Sequence, residues 1–452
     1  MKLSIIAKEI QAQLHGSDVD FPSLAIDSRK VQPGDMFAAI KGENHDGHDF
    51  IAQAITQGAK VILASRGPEN EIEKKISFLQ VADTTIALGE LAAFWRRLNP
   101  IPMVGLTGSC GKTSVKGMVE AICQQQGTTL ATKGNFNNHI GLPLTLLRLD
   151  PKYQFAVIEM GASHVGEIRY LGKIAHPTIT LITNVAPAHL LGFGSIENVA
   201  KAKGEIYEIL PPEGKAILNI DEAFSETWRQ IIGTREAITY GLSDGAMVFA
   251  RDIELQPFFV QFTLHLPNEQ SHSVKVNIPG KHTVMNALAA AACGFALGIS
   301  LPRIVSGLES FQGVPGRLRR FKGLEGAVVI DDSYNANPGS VNAALDVLAN
   351  CQGKRTFVMG DMAELGENAI NYHAEVGKVA RQKGIERLLA VGKLSEHAVK
   401  AFGEGAKIYL SKDALVADLK GMLTSQSIVL IKGSRSSGMD VVTDALAIRE
   451  EA

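Results

Sequence analysis

The stretch GLTGSCGKTS, residues 105–114, follows the apolar run IPMV and decides which fold to expect at the centre of the chain. A strand, a glycine-rich loop and a Lys-Thr pair that opens a helix together bind nucleotide phosphates through backbone N–H groups. The strict spacing G-x4-G-K-T needs a glycine at position 106, where the chain has Leu106, and the nearest glycine is Gly105. We predict a phosphate-binding loop. The motif alone leaves open nucleotide hydrolysis, phosphate transfer to a product, or use of the phosphate for other chemistry.

Each polar residue of this loop has an expected use. Lys112 is expected on the β- and γ-phosphates of a nucleotide, and the hydroxyl of Thr113 is expected on Mg²⁺. Cys110 fits a small filler better than a nucleophile, because no histidine lies near it in sequence. The residues predicted to contact the nucleotide are Thr107, Gly108, Ser109, Cys110, Gly111, Lys112 and Thr113.

Composition and charge limit the classes of protein to which the chain can belong. Its 452 residues, 45% hydrophobic and 20% charged, suit an ordinary globular chain, and this length favours roughly three domains. The formal net charge of −2 gives no sign of a nucleic-acid partner. The longest apolar run, residues 287–299, is too short to span a bilayer, and the four scattered cysteines fit reduced thiols. We expect a cytoplasmic protein without membrane insertion.

The order of segments predicts the α/β fold class with three domains, at residues 1–82, 83–313 and 314–452. Apolar strands without polar alternation are separated by helical segments in the second domain, which favours a mainly parallel sheet. Residues 246–279 alternate and indicate antiparallel hairpins at one sheet edge. The segment GVPGRLRR, residues 313–320, has the composition of a hinge before a third strand–loop–helix unit, which has no GxGxxG after its first strand.

Several polar residues outside the loop are candidates for the same site. Glu159 ends the strand FAVIE and His189 follows the strand TITLI, and sites of α/β proteins gather at the carboxyl ends of strands. A carboxylate there can hold Mg²⁺ beside phosphates. The ordinary alternatives are a solvated acid for Glu159 and a packed or surface histidine for His189. Lys203, on the helix that follows, would by itself belong to a solvated helix face.

The third domain and the helix before it offer a second group of candidates. His282 and Asn286 lie four residues apart and therefore on one helix face. They could contact a nucleotide, or they could only cap the helix and pack against its neighbours. Arg317 lies in the hinge, from where an arginine can reach a phosphoryl group when domains close. The ordinary alternative is a surface charge. Asp332 ends a strand, and Asn335 fits a turn as well as a site.

These segments, in this order, resemble the ATP-dependent Mur ligases of bacterial cell-wall synthesis over essentially the whole chain. The segments that carry the resemblance are DSRKVQPGDMFAAIKGENHDGHDF, GLTGSCGKTSVK, GNFNNHIGLPLTLL, AHLLGFGS with VAKAKGEIY, VPGRL, DDSYNANPGS, GDMAELG and KGSRS. An offset glycine before the loop is usual in that family, which accounts for Gly105. The resemblance implies an N-terminal UDP-sugar-binding α/β domain, a central P-loop ATPase domain and a C-terminal Rossmann-like domain.

The segments DDSYNANP and GDMAELG favour the branch of the family that uses D-alanyl-D-alanine. The resemblance implies that ATP phosphorylates the terminal carboxylate of a UDP-MurNAc-tripeptide. The amine of D-Ala-D-Ala then attacks the acyl phosphate, so that ADP and phosphate are released. The implied cofactors are ATP and two Mg²⁺ ions. The implied partners are the two small-molecule substrates, and the implied assembly is a monomer.

Matching the family's motifs assigns roles to individual residues. The implied catalytic residues are Lys112, Glu159, His189, Lys203 and Arg317. The implied Mg²⁺ ligands are Thr113, Glu159, His189 and Lys203, the last as a carbamylated lysine. Asn286, Arg317 and Asp332 are implied around ATP. The residues implied around the substrates are Asp27, Ser28, Arg29, Lys41 and Gly42 for UDP, Asn135, Asn137 and Asn138 for the muramyl peptide, and Asp331, Tyr334 and Asn335 for D-Ala-D-Ala.

Two other interpretations are compatible with the motifs. One is a related amide ligase, either a sister Mur ligase that adds another amino acid or an enzyme similar to folylpolyglutamate synthase. The separate N-terminal domain argues against the folate interpretation. The other is a P-loop ATPase that drives conformational work, which would hydrolyse nucleotide without an amino-acid co-substrate.

Overall fold

The computed structural model describes residues 1–21, 23–42, 44–186, 190–268 and 270–448. In these ranges the chain forms three α/β units, each built on its own sheet of mostly parallel strands. The predicted fold class is confirmed. The domain boundaries at 82/83 and 313/314 stay predictions.

The first unit has short strands on both sides of the turn at Pro33-Gly34. Its elements are α1 (Leu3–Glu9), β1 (Gln13–His15), β2 (Leu24–Ala25), β3 (Met36–Ala38), α2 (Ile51–Thr56), β4 (Val61–Ala64), β5 (Ser77–Gln80) and α3 (Thr84–Leu98). The sheet order is β1-β5-β4-β3-β2, with β1 antiparallel to β5 and the other neighbours parallel. Helix α3 begins where the carboxylate of Asp83 accepts the N–H groups of Thr85 and Ile86.

The second unit carries the phosphate loop. Its elements are β6 (Met103–Thr107), α4 (Lys112–Gln124), β7 (Thr129–Ala131), α5 (Gly141–Leu146), β8 (Phe155–Glu159), α6 (Glu167–Ala175), β9 (Ile179–Ile182), α7 (Leu190–Phe193), α8 (Ile196–Glu208), β10 (Lys215–Asn219), α9 (Ser225–Ile232), β11 (Glu236–Gly241), β12 (Val248–Leu255), β13 (Val260–Leu266), β14 (Gln270–Val276), α10 (Lys281–Ala296) and α11 (Leu301–Ser310). The sheet order is β14-β13-β12-β11-β10-β9-β6-β8-β7.

Burial explains the sequence pattern of this second sheet. Every residue of β6, β8 and β9 is buried, because helices cover both faces, so these strands show no polar alternation. The predicted antiparallel edge is confirmed in β12, β13 and β14, which pair antiparallel. The apolar run at residues 287–299 lies largely in the buried helix α10. Among the described helices, none combines the length and the apolar character that crossing a membrane requires.

The third unit repeats the strand–loop–helix order. Its elements are β15 (Arg319–Lys322), β16 (Val328–Asp332), α12 (Pro338–Ala349), β17 (Lys354–Gly360), α13 (Ala369–Gln382), β18 (Arg387–Val391), α14 (Ser395–Phe402), β19 (Ala406–Tyr409), α15 (Lys412–Met422), β20 (Ser427–Lys432) and α16 (Asp440–Leu446). The sheet order is β15-β16-β20-β17-β18-β19, and β15 is the antiparallel member. Its sequence, RRFK, is too charged to predict a strand.

Candidate active site

The phosphate loop runs from the end of β6 to the start of α4, and two glycines make its path possible. Gly108 and Gly111 have φ values of 149° and 80°, in the range that side chains rarely adopt. A Cβ at Gly108 would lie 1.9 Å from Thr183 Oγ1, and one at Gly111 would lie 2.7 Å from Asn286 Oδ1. Gly105 belongs to β6 instead, where a Cβ would lie 2.9 Å from Pro177 Cβ. The offset glycine therefore serves strand packing, and the loop begins three residues later.

Asn184, at the carboxyl end of the neighbouring strand β9, fixes the shape of the loop. Its backbone carbonyl accepts the N–H of Ser109 at 3.0 Å, and its Oδ1 accepts the N–H of Cys110 at 2.9 Å. Its Nδ2 donates to the Cys110 carbonyl at 3.0 Å. Asn184 was not predicted from the sequence, although its position after an apolar strand is a signal of the same kind as that of Glu159.

Lys112 lies at the first turn of α4 with its side chain turned back over the loop. Its Nζ donates to the carbonyl oxygens of Gly108 at 2.6 Å and Ser109 at 3.3 Å. Burial lowers the pKa of Lys112, while the charge of Glu159 raises it. The first N–H groups of α4 have no partner within the helix, as at every helix start. An anion above the loop would therefore meet both the ammonium group and these N–H groups.

Glu159 ends β8, next to β6 in the sheet, and its side chain is 2% exposed. Its Oε1 accepts a hydrogen bond from Asn137 Nδ2 at 2.8 Å, whereas its buried Oε2 has no hydrogen-bond partner among the described residues. A buried carboxylate oxygen without a donor is costly unless a cation or a ligand satisfies it. Glu159 and Thr113 line the same cavity, so this pair of oxygen donors fits Mg²⁺.

Of the two remaining predicted metal ligands, Lys203 and His189, the structure describes only Lys203. Lys203 lies on α8 and is 2% exposed, with its Nζ 5.5 Å from the centroid of the Phe193 ring. Burial, followed by the charge of Lys112, lowers the pKa of Lys203 to about 7. His189 lies outside the described residues. Within those residues, no three His, Cys, Asp or Glu side chains form a metal-binding group by themselves.

A cavity of about 280 Å³, here called the α10 cavity, lies between the second and third units. Asn286 and His282 line it from α10, and Arg317 and Asp332 line it from the hinge and the third unit. The structure thus brings together the three residues predicted around ATP. Burial lowers the pKa of His282, which favours a neutral ring beside this cavity.

The carboxylate of Asp332, which lines the α10 cavity, is held in an ion pair with Lys432. Lys432 donates from Nζ to Asp332 Oδ2 at 2.5 Å and to the carbonyl of Asn335 at 2.9 Å. Both partners of this ion pair are buried, and Asp332 Oδ1 also accepts the N–H of Leu318 at 3.2 Å. Lys432 was not predicted as a site residue, although it begins the segment KGSRS, which contributes to the family resemblance.

A second cavity, of about 460 Å³ and here called the loop cavity, lies above the phosphate loop. Lys112, Thr113 and Glu159 line it from the second unit. The third unit contributes the predicted Tyr334 and Asn335, and Arg317 lines both this cavity and the α10 cavity. The guanidinium carbon of Arg317 lies 4.6 Å from the centroid of the Tyr334 ring, which holds the two side chains together.

Asp331 does not line the α10 or the loop cavity in the described part of the chain. Its Oδ1 accepts bonds from the N–H and hydroxyl of Ser333 at 3.1 and 2.6 Å and from Thr443 Oγ1 at 3.2 Å. Its Oδ2 accepts the N–H of Gly316 at 3.2 Å. These bonds tie the hinge to the third unit. Its predicted contact with D-Ala-D-Ala stays a prediction.

A third cavity, of about 670 Å³ and here called the α6 cavity, opens beside α6. Asn137 and Asn138 line it together with Lys112, whereas Asn135 is exposed and is not among its lining residues in the described chain. Asn138 Oδ1 accepts the N–H groups of Ile140 and Gly141 and so begins α5. Asn137 therefore connects this cavity to Glu159.

The residues predicted for UDP gather at one edge of the first sheet. Asp27, Ser28 and Arg29 follow β2, and Lys41 and Gly42 follow β3, its parallel neighbour. Arg29 donates from Nε and Nη2 to Asp27 at 2.9 Å each, which lowers the pKa of Asp27 to about 2. Among the described residues, none of these five lines the three cavities named above.

Comparisons with known proteins agree with this arrangement. Three family models match the chain: the Mur ligase family catalytic domain at residues 21–96, the Mur ligase middle domain at 106–294, and the Mur ligase glutamate ligase domain at 316–435. The chain is 44% identical to the UDP-N-acetylmuramoyl-tripeptide–D-alanyl-D-alanine ligase of Escherichia coli strain K12, with 98% of each chain covered.

Two solved structures extend the similarity to the fold. A crystal structure of MurF from Acinetobacter baumannii superimposes with a TM-score of 0.92 at 36% identity, covering 98% of this chain and 97% of that one. MurF from Thermotoga maritima, solved in complex with ADP, gives a TM-score of 0.82 at 26% identity, covering 94% of this chain and 96% of that one.

Proposed function

The chain belongs to the Mur ligase family, and we propose that it joins D-alanyl-D-alanine to UDP-N-acetylmuramoyl-tripeptide at the expense of ATP. One observation of the site supports this most strongly. The loop cavity brings the phosphate loop, the carboxylate of Glu159 and side chains of the third unit around one space. A nucleotide phosphate, an acid and an amine can therefore meet there. An ATPase that only moves domains has no need for such a three-sided space.

The chemistry follows from the poor reactivity of a carboxylate. Its negative charge repels an amine, and oxide is not a viable leaving group. A carboxylate oxygen of the tripeptide attacks the γ-phosphorus of ATP, ADP leaves, and an acyl phosphate forms. The amine of D-Ala-D-Ala attacks the acyl carbon, the tetrahedral intermediate expels phosphate, and the amine loses its proton. Charge builds on the transferred phosphoryl group and on the tetrahedral oxygen, so cationic groups around both lower the barrier.

The residues of this chain divide those tasks. Lys112 and the N–H groups at the start of α4 hold the transferred phosphoryl group, and Arg317 reaches it from the hinge. Thr113 and Glu159 would hold one Mg²⁺, which neutralises phosphate charge when bound. His189 and a carbamate on Lys203 would hold a second. Asn286 and Asp332 serve the nucleotide from the α10 cavity.

We assign the substrates to residues that follow the strands of the three sheets. Asp27, Ser28, Arg29, Lys41 and Gly42 bind the UDP end, at a distance from the chemistry. The α6 cavity, with Asn137 and Asn138, takes the muramyl peptide, and Asn135 lies in the same loop. Tyr334 and Asn335 serve D-Ala-D-Ala from the third unit, with Asp331 behind them. We assign the domains to residues 1–82, 83–313 and 314–452, and the enzyme to the cytoplasm as a monomer.

A carbamate on Lys203 is favoured by its surroundings. With a pKa of about 7, a large share of Lys203 is a neutral amine at slightly alkaline pH. A neutral amine can add to CO₂, and the resulting carbamate offers oxygen ligands where an ammonium offers none. ¹³C-labelled bicarbonate should give a carbamate signal in the ligand-bound enzyme that Lys203→Arg lacks. A map of the closed, ligand-bound enzyme with a bare Lys203 ammonium would refute the modification.

Lys203→Met is expected to separate function from stability. Turnover should fall at least about 100-fold, because a Met side chain cannot supply an oxygen ligand. In bicarbonate-free buffer near pH 7, the thermal midpoint should be equal to or above that of the wild type, since burying a charge is unfavourable. Between pH 7 and 10.5 the unfolded lysine binds a proton that buried Lys203 does not. Wild-type stability therefore rises across this window relative to the variant. A variant midpoint well below wild type at pH 7 would contradict this.

The function is tested by phosphate release in the presence of UDP-MurNAc-tripeptide and ATP. We expect release to be stimulated by D-Ala-D-Ala and not by D-Glu, meso-diaminopimelate or L-Lys added singly. Stimulation by one of the other acceptors would indicate a sister ligase. Equal release with no acceptor would indicate an ATPase.

A further inference from the structure

His373, on helix α13, is a fully buried histidine whose hydrogen bonds within the described residues go to none of the substrate-binding residues assigned above. Its Nε2 accepts the backbone N–H of Met362 at 2.9 Å, and its Nδ1 lies 2.7 Å from the carbonyl of Ala369. Because Met362 supplies a proton, Nε2 must carry the lone pair and Nδ1 must carry the hydrogen. The ring is therefore neutral, and its two hydrogen bonds connect the start of α13 to the segment that follows β17.

The clamped segment forms part of the loop cavity. Residues 363–365 line that cavity, directly after Met362. The start of the segment is held at Asp361, whose Oδ1 accepts the N–H and the hydroxyl of Ser395 at 2.7 and 2.6 Å. Glu364 then takes a φ of 61°, an uncommon backbone state for a residue other than glycine. A strained turn of this kind persists only where its surroundings hold it.

We propose that His373 is a positioning residue for the amine substrate: through the Met362 N–H it holds residues 363–365 as the third-unit wall of the loop cavity. The inference rests on the proposed function. Among the described residues, this segment lines the loop cavity and not the α10 or α6 cavity. Within that cavity, D-Ala-D-Ala is assigned to Tyr334 and Asn335 of the same third unit, and the nucleotide phosphates to the phosphate loop of the second unit. Loosening the segment therefore affects D-Ala-D-Ala more than ATP or UDP-MurNAc-tripeptide.

Two substitutions separate the two bonds of the ring. The amide of His373→Gln reaches as far as Nε2 and can still accept the Met362 N–H. The amide of His373→Asn reaches only as far as Nδ1, so it can keep the bond to the Ala369 carbonyl but not the one to Met362. Both replace a buried aromatic ring by a smaller polar group, so they are matched in their general effect on packing.

We expect His373→Asn to raise KM for D-Ala-D-Ala about tenfold, the size expected for a backbone N–H left without its acceptor. KM for ATP and for UDP-MurNAc-tripeptide should stay within about twofold, and His373→Gln should restore most of the loss. A merely structural role would lower stability and active fraction without changing these KM ratios. Equal KM values for D-Ala-D-Ala in the two variants would overturn the inference.

Hydrogen exchange of the Met362 amide gives a measurement that needs no variant. In the folded wild-type enzyme without substrates, this amide should be protected, and fast exchange would overturn the inference even if His373→Asn fails to fold. A wild-type enzyme that does not respond to D-Ala-D-Ala would overturn the proposed function, and the inference with it. A responsive enzyme whose Met362 amide is unprotected would overturn the inference alone.

Discussion

Lys112→Ala should reduce ligation at least about 1,000-fold and leave the protein folded. Lys112 donates to the carbonyls of Gly108, which is buried, and Ser109, which is half-buried. Its loss removes these two hydrogen bonds at a cost of about 1–3 kcal/mol, which a chain of this size should tolerate. Without the ammonium group, however, the site of phosphoryl transfer loses a positive charge. Groups of this kind accelerate the reaction by a factor of about 10²–10⁵. Steady-state phosphate release and circular dichroism measure the two effects.

The matched control for this prediction is Lys173→Ala, an exposed lysine on α6 outside the three cavities. It removes the same charge and should leave the rate unchanged within about twofold, as surface substitutions usually do. A Lys112→Ala enzyme with a rate near wild type would remove the loop lysine from the mechanism.

Glu159→Gln should have the next largest effect, a loss of about 100- to 1,000-fold with a raised Mg²⁺ requirement. The substitution keeps the shape of the side chain and the oxygen that accepts from Asn137. It puts an uncharged amide nitrogen in place of Oε2, the carboxylate oxygen that has no donor among the described residues and that we assign to Mg²⁺. The measurement is the Mg²⁺ dependence of phosphate release.

Glu213→Gln, at an exposed position before β10, removes an acid without approaching the site and serves as the control. If Glu159→Gln kept the wild-type Mg²⁺ dependence, the carboxylate would have a packing role, and the metal would have to be held by other residues.

Residues that follow strands could be placed from sequence because topology decides where they meet. Lys112 and Glu159 come at the carboxyl ends of two apolar strands, and neighbouring parallel strands put such residues at one edge. The strand order, with β6 between β8 and β9, was not readable, since apolar runs of similar length do not specify their neighbours.

Other site residues could not be predicted because their partners are distant in sequence. Lys432 pairs with Asp332, 100 residues earlier, and Asn184 shapes a loop more than 70 residues before it. Nothing in their local sequence distinguishes them from other polar residues after strands. The sequence predicted that Asp331 and Asp332 lie near the site, but the structure shows that both carboxylates accept hydrogen bonds from other residues of the chain.

The central claim is that the phosphate activates a carboxylate, and oxygen labelling tests it most directly. UDP-MurNAc-tripeptide with ¹⁸O in both oxygens of its terminal carboxylate is converted with unlabelled ATP and D-Ala-D-Ala, and the released phosphate is analysed by mass. When the tetrahedral intermediate breaks down, the C–O bond breaks and the phosphate leaves with the bridging oxygen of the former carboxylate, so we predict one ¹⁸O in each phosphate. Phosphate without label would contradict the account, because the phosphoryl group would then have passed to water or to another acceptor.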